Sequence, residues 1–174
     1  METERLLIDP IRETDKEDYF LNISHDKKVL ETFICRYTDT LADLDISAYL
    51  AKENMFAIRL KETMRLIGII LYFDETADSC EIGYGIGSKY WNRGYSSEAV
   101  NKFIEYCFRE KGFHTVFASF FTGNVASRRV MEKNGMTFSR FKEKSITYLG
   151  IERDLTYYLI HRKKWEKRQI QLKI

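Results

Sequence analysis

A chain of 174 residues, 44% apolar and 31% charged, is long enough for one domain with its own core, and no run approaches the roughly 18 apolar residues of a membrane span. Three widely spaced cysteines (Cys35, Cys80, Cys107), three isolated histidines and a charged start, "METERLLIDP", argue against a disulfide framework, a metal-ligand spacing and a secretory signal, so the expectation is a reduced, cytoplasmic protein without a metal. The net charge of +2 is uneven: "RKKWEKRQIQLKI" (162–174) carries +5 and the rest −3, which argues against a direct nucleic-acid footprint along the domain.

In chain order, "RLLI" (5–8) reads as a short strand and "DKEDYFLNI" (15–23) as a helix with Asp15 as its cap. Residues 24–44 are irregular. "DISAYLAKE" (45–53) reads as a second helix capped by Asp45. "MFAIRL" (55–60) and "RLIGIILYF" (65–73) form a hairpin around "KETM", and the alternation in "CEIGYGIG" (80–87) predicts a further strand. Val100, Phe103, Ile104, Cys107 and Phe108 make one apolar stripe at helical spacing, ending near Gly112. "TVFASFF" (115–121) is a strand, and "VASRRVMEKNG" (125–135) a helix closed by Asn134-Gly135. "MTFSRFKEK" (136–144) and "DLTYYLIH" (154–161) close the chain as an antiparallel pair. The basic end can bind nucleic acid or ribosomes, but reads first as a solvated terminus. The β-α-β unit over 80–121 makes its two strands parallel, so the fold class is α/β of the mixed kind, a mostly antiparallel six- to seven-stranded sheet with helices on both faces.

Two features carry chemistry. Gly83, Gly85 and Gly87 sit two apart, on the side of Glu81 in a regular strand. Glycines there strip side chains from one face, which admits a ligand or another backbone, or else mark a bulge or a crowded helix–sheet contact. Next, "WNRGYSSEAV" runs into a helix. A helix start has unpartnered N–H groups and partial positive charge, which suits phosphate oxygens. Gly94 permits positive φ and leaves no Cβ in a ligand's way, Arg93 adds charge, and Ser96 or Ser97 offers a hydroxyl. The alternative is a capped helix start with an incidental Arg. Neither GxxxxGK[ST] nor GxGxxG occurs, so the implied phosphate ligand is neither a nucleoside triphosphate nor a dinucleotide.

These stretches resemble the GNAT superfamily of acyl-CoA N-acyltransferases. Its [Q/R]-x-x-G-x-[G/A] signature stands here as "WNRGYS", where Gly94 matches, Trp91 replaces Gln/Arg and Ser96 the last Gly/Ala. Both replacements are similar to the ribosomal-protein N-terminal acetyltransferase branch, whose pattern is close to "EIGYWI…YWGKGYATEAV". That branch also has an opening "TERLxLRP", here "TERLLIDP", and a later block matched by "NVASRRVMEKNGM" (124–136). The resemblance implies one GNAT domain over 1–165 with a basic tail over 166–174. It implies a splay between the fourth and fifth strands that admits the pantetheine arm of acetyl-CoA. Backbone N–H groups of Arg93, Gly94, Tyr95, Ser96 and Ser97 would hold the pyrophosphate, with Ile86 on the glycine-rich edge and Asn124 along the arm. Asn124 also reads simply as a helix cap.

The implied activity is acetyl transfer to a primary amine by direct attack, with a protein or peptide α-amine favoured and a ribosomal-protein N-terminus as the implied partner. A polyamine or aminoglycoside acceptor, or a non-catalytic CoA-binding module, is the alternative, and the chain would be a monomer or homodimer. Glu81 is the candidate base through water, against a surface or salt-bridged Glu. Ser127 is the candidate donor to the departing thiolate, against an ordinary first-turn hydroxyl. Gly85 stands where the branch often has an aromatic, and either widens the acceptor side or marks a bulge. Cys107 reads as core. The acceptor side falls on residues 15–54 and 142–153, which name no acceptor.

Overall fold

The computed structural model describes residues 1–171, and among these seven strands form one mixed sheet in the order β1-β2-β3-β4-β5-β7-β6. The chain divides into two compact units, residues 1–71 with 84–102 and residues 72–83 with 103 onward.

In the first unit, β1 (Leu6–Pro10) pairs antiparallel with β2 (Met55–Leu60), and β2 with β3 (Leu66–Phe73). The turn between β2 and β3 closes with Met64 at φ 57°, the residue of "KETM" that takes the left-handed conformation. The expected helix over 15–23 is instead broken into a 3-10 turn (Glu13–Asp15), α1 (Lys16–Tyr19) and a wide π turn (Phe20–Ser24). Asp15 does not cap α1. Its carboxylate instead serves Arg59, whose side chain is 2% exposed in the middle of β2. Arg59 donates to Asp15 Oδ2 at 2.7 Å, to Asp9 Oδ1 at 2.6 Å and to the Pro10 carbonyl at 3.1 Å. A buried guanidinium requires counter-charge more than a helix requires one cap, and that requirement wins here.

Residues 24–44, irregular by sequence, contain α2 (Lys27–Leu30), whose cap is Asp26 accepting from Lys28 N–H at 3.1 Å. The other Asp26 oxygen accepts from Ser88 N–H at 2.7 Å. The expected helix over 45–53 is only one turn, α3 (Ser47–Leu50), with Ile46 at its cap position, and Asp45 one residue earlier accepts from Ser47 N–H at 3.0 Å. Tyr19, Ile23, Leu44, Met55 and Ile69 form the core of this unit.

In the second unit, β4 (Ser79–Ile86, shared with the first) and β5 (Thr115–Phe121) run parallel, in register from Ser79 opposite Thr115 to Ile82 opposite Ala118. β4 continues to Ile86 and β5 to Phe121. Helix α4 (Tyr95–Arg109) connects them, and its stripe of Phe103, Ile104, Cys107 and Phe108 is buried as the spacing predicts. Cys107 lies against Cys80, and that contact together with burial pushes its thiol far above the ordinary range, which makes it an inert core residue. α5 (Val125–Lys133) follows, closed at Asn134 and Gly135, the glycine at φ 81°. β6 (Thr137–Tyr148) and β7 (Ile151–His161) pair antiparallel, with β7 also antiparallel to β5.

The basic end keeps most of its charged side chains exposed, as expected of a solvated terminus, but it is helical and anchored at one residue. Residues Arg162–Gln171 are a helix, α6, and Trp165 is buried against Phe108 with ring centroids 5.5 Å apart. The indole supplies the apolar anchor that a charge count overlooks, and Arg109 covers its ring at 5.4 Å. The last three residues of that stretch lie outside the described residues.

Candidate active site

The connector into α4 is built around Gly94, which takes φ 82°. Among the described residues, a Cβ placed there would meet only the end of the Arg5 side chain, at 3.3 Å. Glu98 N–H donates to the Gly94 carbonyl at 3.1 Å, which ties the glycine to the first turn of the helix. Tyr95, Ser96 and Ser97 form that first turn, at the positive end of a 15-residue helix. Residues 93–97 thus present the glycine conformation and helix start that suit an anion.

Arg5 fixes this connector. Its Nη1 donates to the Arg93 carbonyl at 3.0 Å, its Nε and Nη2 reach Glu98 Oε2 at 2.8 and 2.7 Å, and its guanidinium lies over the Tyr95 ring at 4.6 Å. Glu98 Oε1 accepts from Thr3 Oγ1 at 2.5 Å and from Arg5 N–H at 3.0 Å. Burial alone would raise the Glu98 carboxyl, but these donors outweigh it and hold the group below the usual range. The "TER" and "RGYSSEAV" stretches are thus one structure. The Trp91 ring is exposed, but its Nε1 donates to the Ile86 carbonyl at 2.7 Å, so that carbonyl is already engaged, and Ile86 itself is buried.

The glycine strand resolves toward the crowded-contact reading at two of its positions. A Cβ on Gly85 would lie 3.0 Å from the Phe33 ring, and one on Gly87 would lie 2.9 Å from Asn22 Cβ. Phe33 stands in the space that an aromatic at position 85 would need. Asn22 is held there by its amide donating to the Leu66 carbonyl at 2.6 Å.

In the second unit, Asn124 is the cap of α5, its Oδ1 accepting from Ser127 N–H at 3.1 Å. Ser127 is half-buried in the first turn of that helix. Glu81 and Ser119 come together. Glu81 stands opposite Phe117 in the parallel register, Ser119 follows two residues on, and the Ser119 hydroxyl donates to Glu81 Oε1 at 2.5 Å. Burial raises the Glu81 carboxyl above its usual range, with Asp74 adding to the rise, while Ser119 and Arg140 oppose it. Arg140 reaches this face from β6, lying over the Tyr157 ring at 4.1 Å and the Phe117 ring at 5.7 Å. A half-buried carboxylate with raised proton affinity can take a proton from a nearby ammonium through water.

The family profile described as "Acetyltransferase (GNAT) domain" matches residues 5–137. The chain belongs to the GNAT acetyltransferase domain family. Bacillus subtilis YnaD, an uncharacterized N-acetyltransferase, is 34% identical over 111 residues, covering 63% of this chain and 65% of YnaD. A GNAT-family acetyltransferase of Bacillus anthracis of known structure is 29% identical with TM-score 0.82, over 94% of this chain and 98% of that one. The fold is also that of a ribosomal-protein-S5-alanine acetyltransferase of Vibrio fischeri (18% identical, TM-score 0.77, 95% of this chain and 97% of that one). A spermidine N-acetyltransferase of Vibrio cholerae, solved with CoA and spermine, shares it as well (14% identical, TM-score 0.79, 94% and 99%).

Within this GNAT domain, three residues escaped the reading of motifs. Thr3 and Arg5 stood in a quoted block with no role, although a Glu four residues past Gly94, in the first turn of a helix, is a natural partner for an Arg. Ser119 was within reach of period two: in a parallel pair whose Glu81 faces Phe117, residue 119 shares the face.

Proposed function

We propose that this chain is an acetyl-CoA-dependent N-acetyltransferase that acts on a primary amine, with a peptide or protein α-amine as the favoured acceptor. The observation that carries the reading is Gly94. It sits at positive φ, with only Arg5 near its missing Cβ among the described residues, at the head of α4, in the position of the family signature.

Residues 93–97 serve the pyrophosphate. Asn124 serves the pantetheine arm while capping α5, and Ile86 contributes packing, since its carbonyl belongs to Trp91. A thioester is already activated, so a neutral, aligned amine attacks it directly and positioning supplies much of the rate. Glu81 takes the amine's proton through water, and the Ser127 hydroxyl donates toward the departing thiolate. A thiolate of pKa about 8.5 leaves with modest help. Neutralising an α-amine of pKa near 8 at pH 7 costs about 1.4 kcal/mol, against roughly 4.6 for a lysine-type amine near 10.4.

Charge supports the same acceptor. Arg140 stands on the Glu81 face and acts electrostatically on Glu81, and it repels a second or third cationic nitrogen more than it repels a single α-ammonium. The test is thiol release from acetyl-CoA across a panel of amines. Peptides with a free α-amine are expected to turn over, and aminoglycosides and spermidine are not. Release with none of them overturns the enzyme reading, and preference for spermidine overturns the acceptor.

A further inference from the structure

We propose that Ser119 is the positioning residue for Glu81, fixing its carboxylate in one orientation and holding it ready to receive the acceptor's proton. This rests on the reading of Glu81 as the base.

Glu81 is a long side chain on a sheet face with Phe117 opposite it, Leu159 opposite Phe117 and Tyr157 opposite Ser119. Rotamer freedom on such a face spreads the carboxylate over several positions, and a base must lie within hydrogen-bond or one-water reach of the proton it takes. The Ser119 hydroxyl donates to Glu81 Oε1, and when Glu81 is ionised that bond is charge-assisted, the kind that selects one position. It engages one oxygen and leaves Oε2 for the incoming proton, since among the described residues no donor is placed on Oε2.

The charged and titratable groups around Glu81 are Asp74 after β3, Arg140 from β6 and Tyr157 on β7. Burial and Asp74 favour the protonated acid, which is useless as a base. Ser119 and Arg140 favour the carboxylate. Arg140 is committed to the Tyr157 and Phe117 rings, so Ser119 is the member of the pair in direct contact with the carboxylate. The role of residue 119 follows from the register of β4 and β5.

The experiment is the pH profile of kcat for peptide acetylation in the full chain, with Ser119→Ala, Ser119→Thr and Glu81→Gln, together with direct 13C NMR titration of the Glu81 carboxyl. Removing one charge-assisted donor is expected to move the acid limb and the NMR titration up by about one pH unit. That corresponds to about a tenfold fall in kcat on the acid side, with acceptor KM little changed. Ser119→Thr, which keeps the hydroxyl, restores the limb, and Glu81→Gln removes it. If Glu81→Gln removes the limb while Ser119→Ala leaves both limb and titration in place, the positioning role is overturned and the base stands. If Glu81→Gln keeps the wild-type limb, the base reading itself falls and takes the positioning role with it. The NMR titration gives the Ser119 result even where a variant turns over too slowly to profile.

Discussion

Gly94 separates two reasons for a glycine, backbone strain and a ligand's close approach. Its φ of 82° makes any L side chain strained by about 1–2 kcal/mol. Gly112 has nearly the same φ, 78°, with nothing among the described residues within 4 Å of its missing Cβ. The two sites therefore carry similar strain, while only Gly94 heads α4. Gly94→Val is expected to lower CoA affinity at least tenfold by calorimetry. Gly112→Ala should lower stability by about 1 kcal/mol in a denaturant titration and leave CoA affinity alone. Equal effects of both variants on affinity would mean that strain, not approach, explains Gly94.

Glu81 gives a second test at the same scale, with a definite sign. Its folded-state pKa is raised by burial, so the folded chain binds this proton more tightly than the unfolded chain. The resulting stability is present below about pH 4.5, the unfolded value, and is lost as pH rises through the higher folded value. Glu81→Gln is therefore expected to be as stable as the wild type or more so at pH 7, and relatively less favoured at pH 4. Chemical denaturation at the two pH values measures this. A loss of stability at neutral pH larger than at acid pH contradicts the sign.

At the scale of elements, the joint between β1 and α4 depends on Arg5 and Thr3 gripping Glu98. The Arg5 side chain is half-exposed, so the ion pair itself contributes at most about 1 kcal/mol. Its larger expected effect is on the proposed pyrophosphate site, because the same guanidinium holds the Arg93 carbonyl next to Gly94. Arg5→Ala is expected to weaken CoA binding by about three- to tenfold with a small change in stability. Glu98 has a lowered folded pKa, so its part of the stability is present above about pH 4.5 and fades as pH falls through that lower value. The stability gap between wild type and Arg5→Ala should therefore close toward acid pH.

Elements also show what the sequence makes legible. The stripe on α4 repeats one local pattern over several turns, and each of its members is buried. β5 and α5 are equally legible, since both carry their own punctuation. The segment 13–33 is not, because its residues answer to distant partners. Asp15 follows the buried Arg59, and Phe33 fills the space left by Gly85. Asp26 divides its two oxygens between α2 and Ser88. Each of these looks locally like a cap or an irregular loop. The same holds at the site: the glycine at the helix start is legible because family pattern and backbone geometry coincide, while Ser119 needs the register of two strands.

For the chain as a whole, the donor reading has a consequence independent of turnover. A ligand that binds only the folded chain stabilises it by about 2.7 kcal/mol at a concentration 100 times its Kd. For a chain of this size each kcal/mol moves the melting temperature by about 2–4 °C, so the expected rise is about 5–11 °C. Acetyl-CoA and CoA should both give it, because the proposed pyrophosphate contacts at 93–97 do not touch the acetyl group. Dephosphorylated or truncated pantetheine lacking the pyrophosphate should give little. Glu81→Gln should keep the full shift while slowing acetyl transfer, since the proposed base acts on the acceptor's proton and not on the donor's phosphates. Gly94→Val should lose the shift and the transfer together. A thermal melt of the three proteins with each ligand thus separates binding from chemistry, and the absence of a shift in the wild type with either CoA species would remove the donor site from residues 93–97.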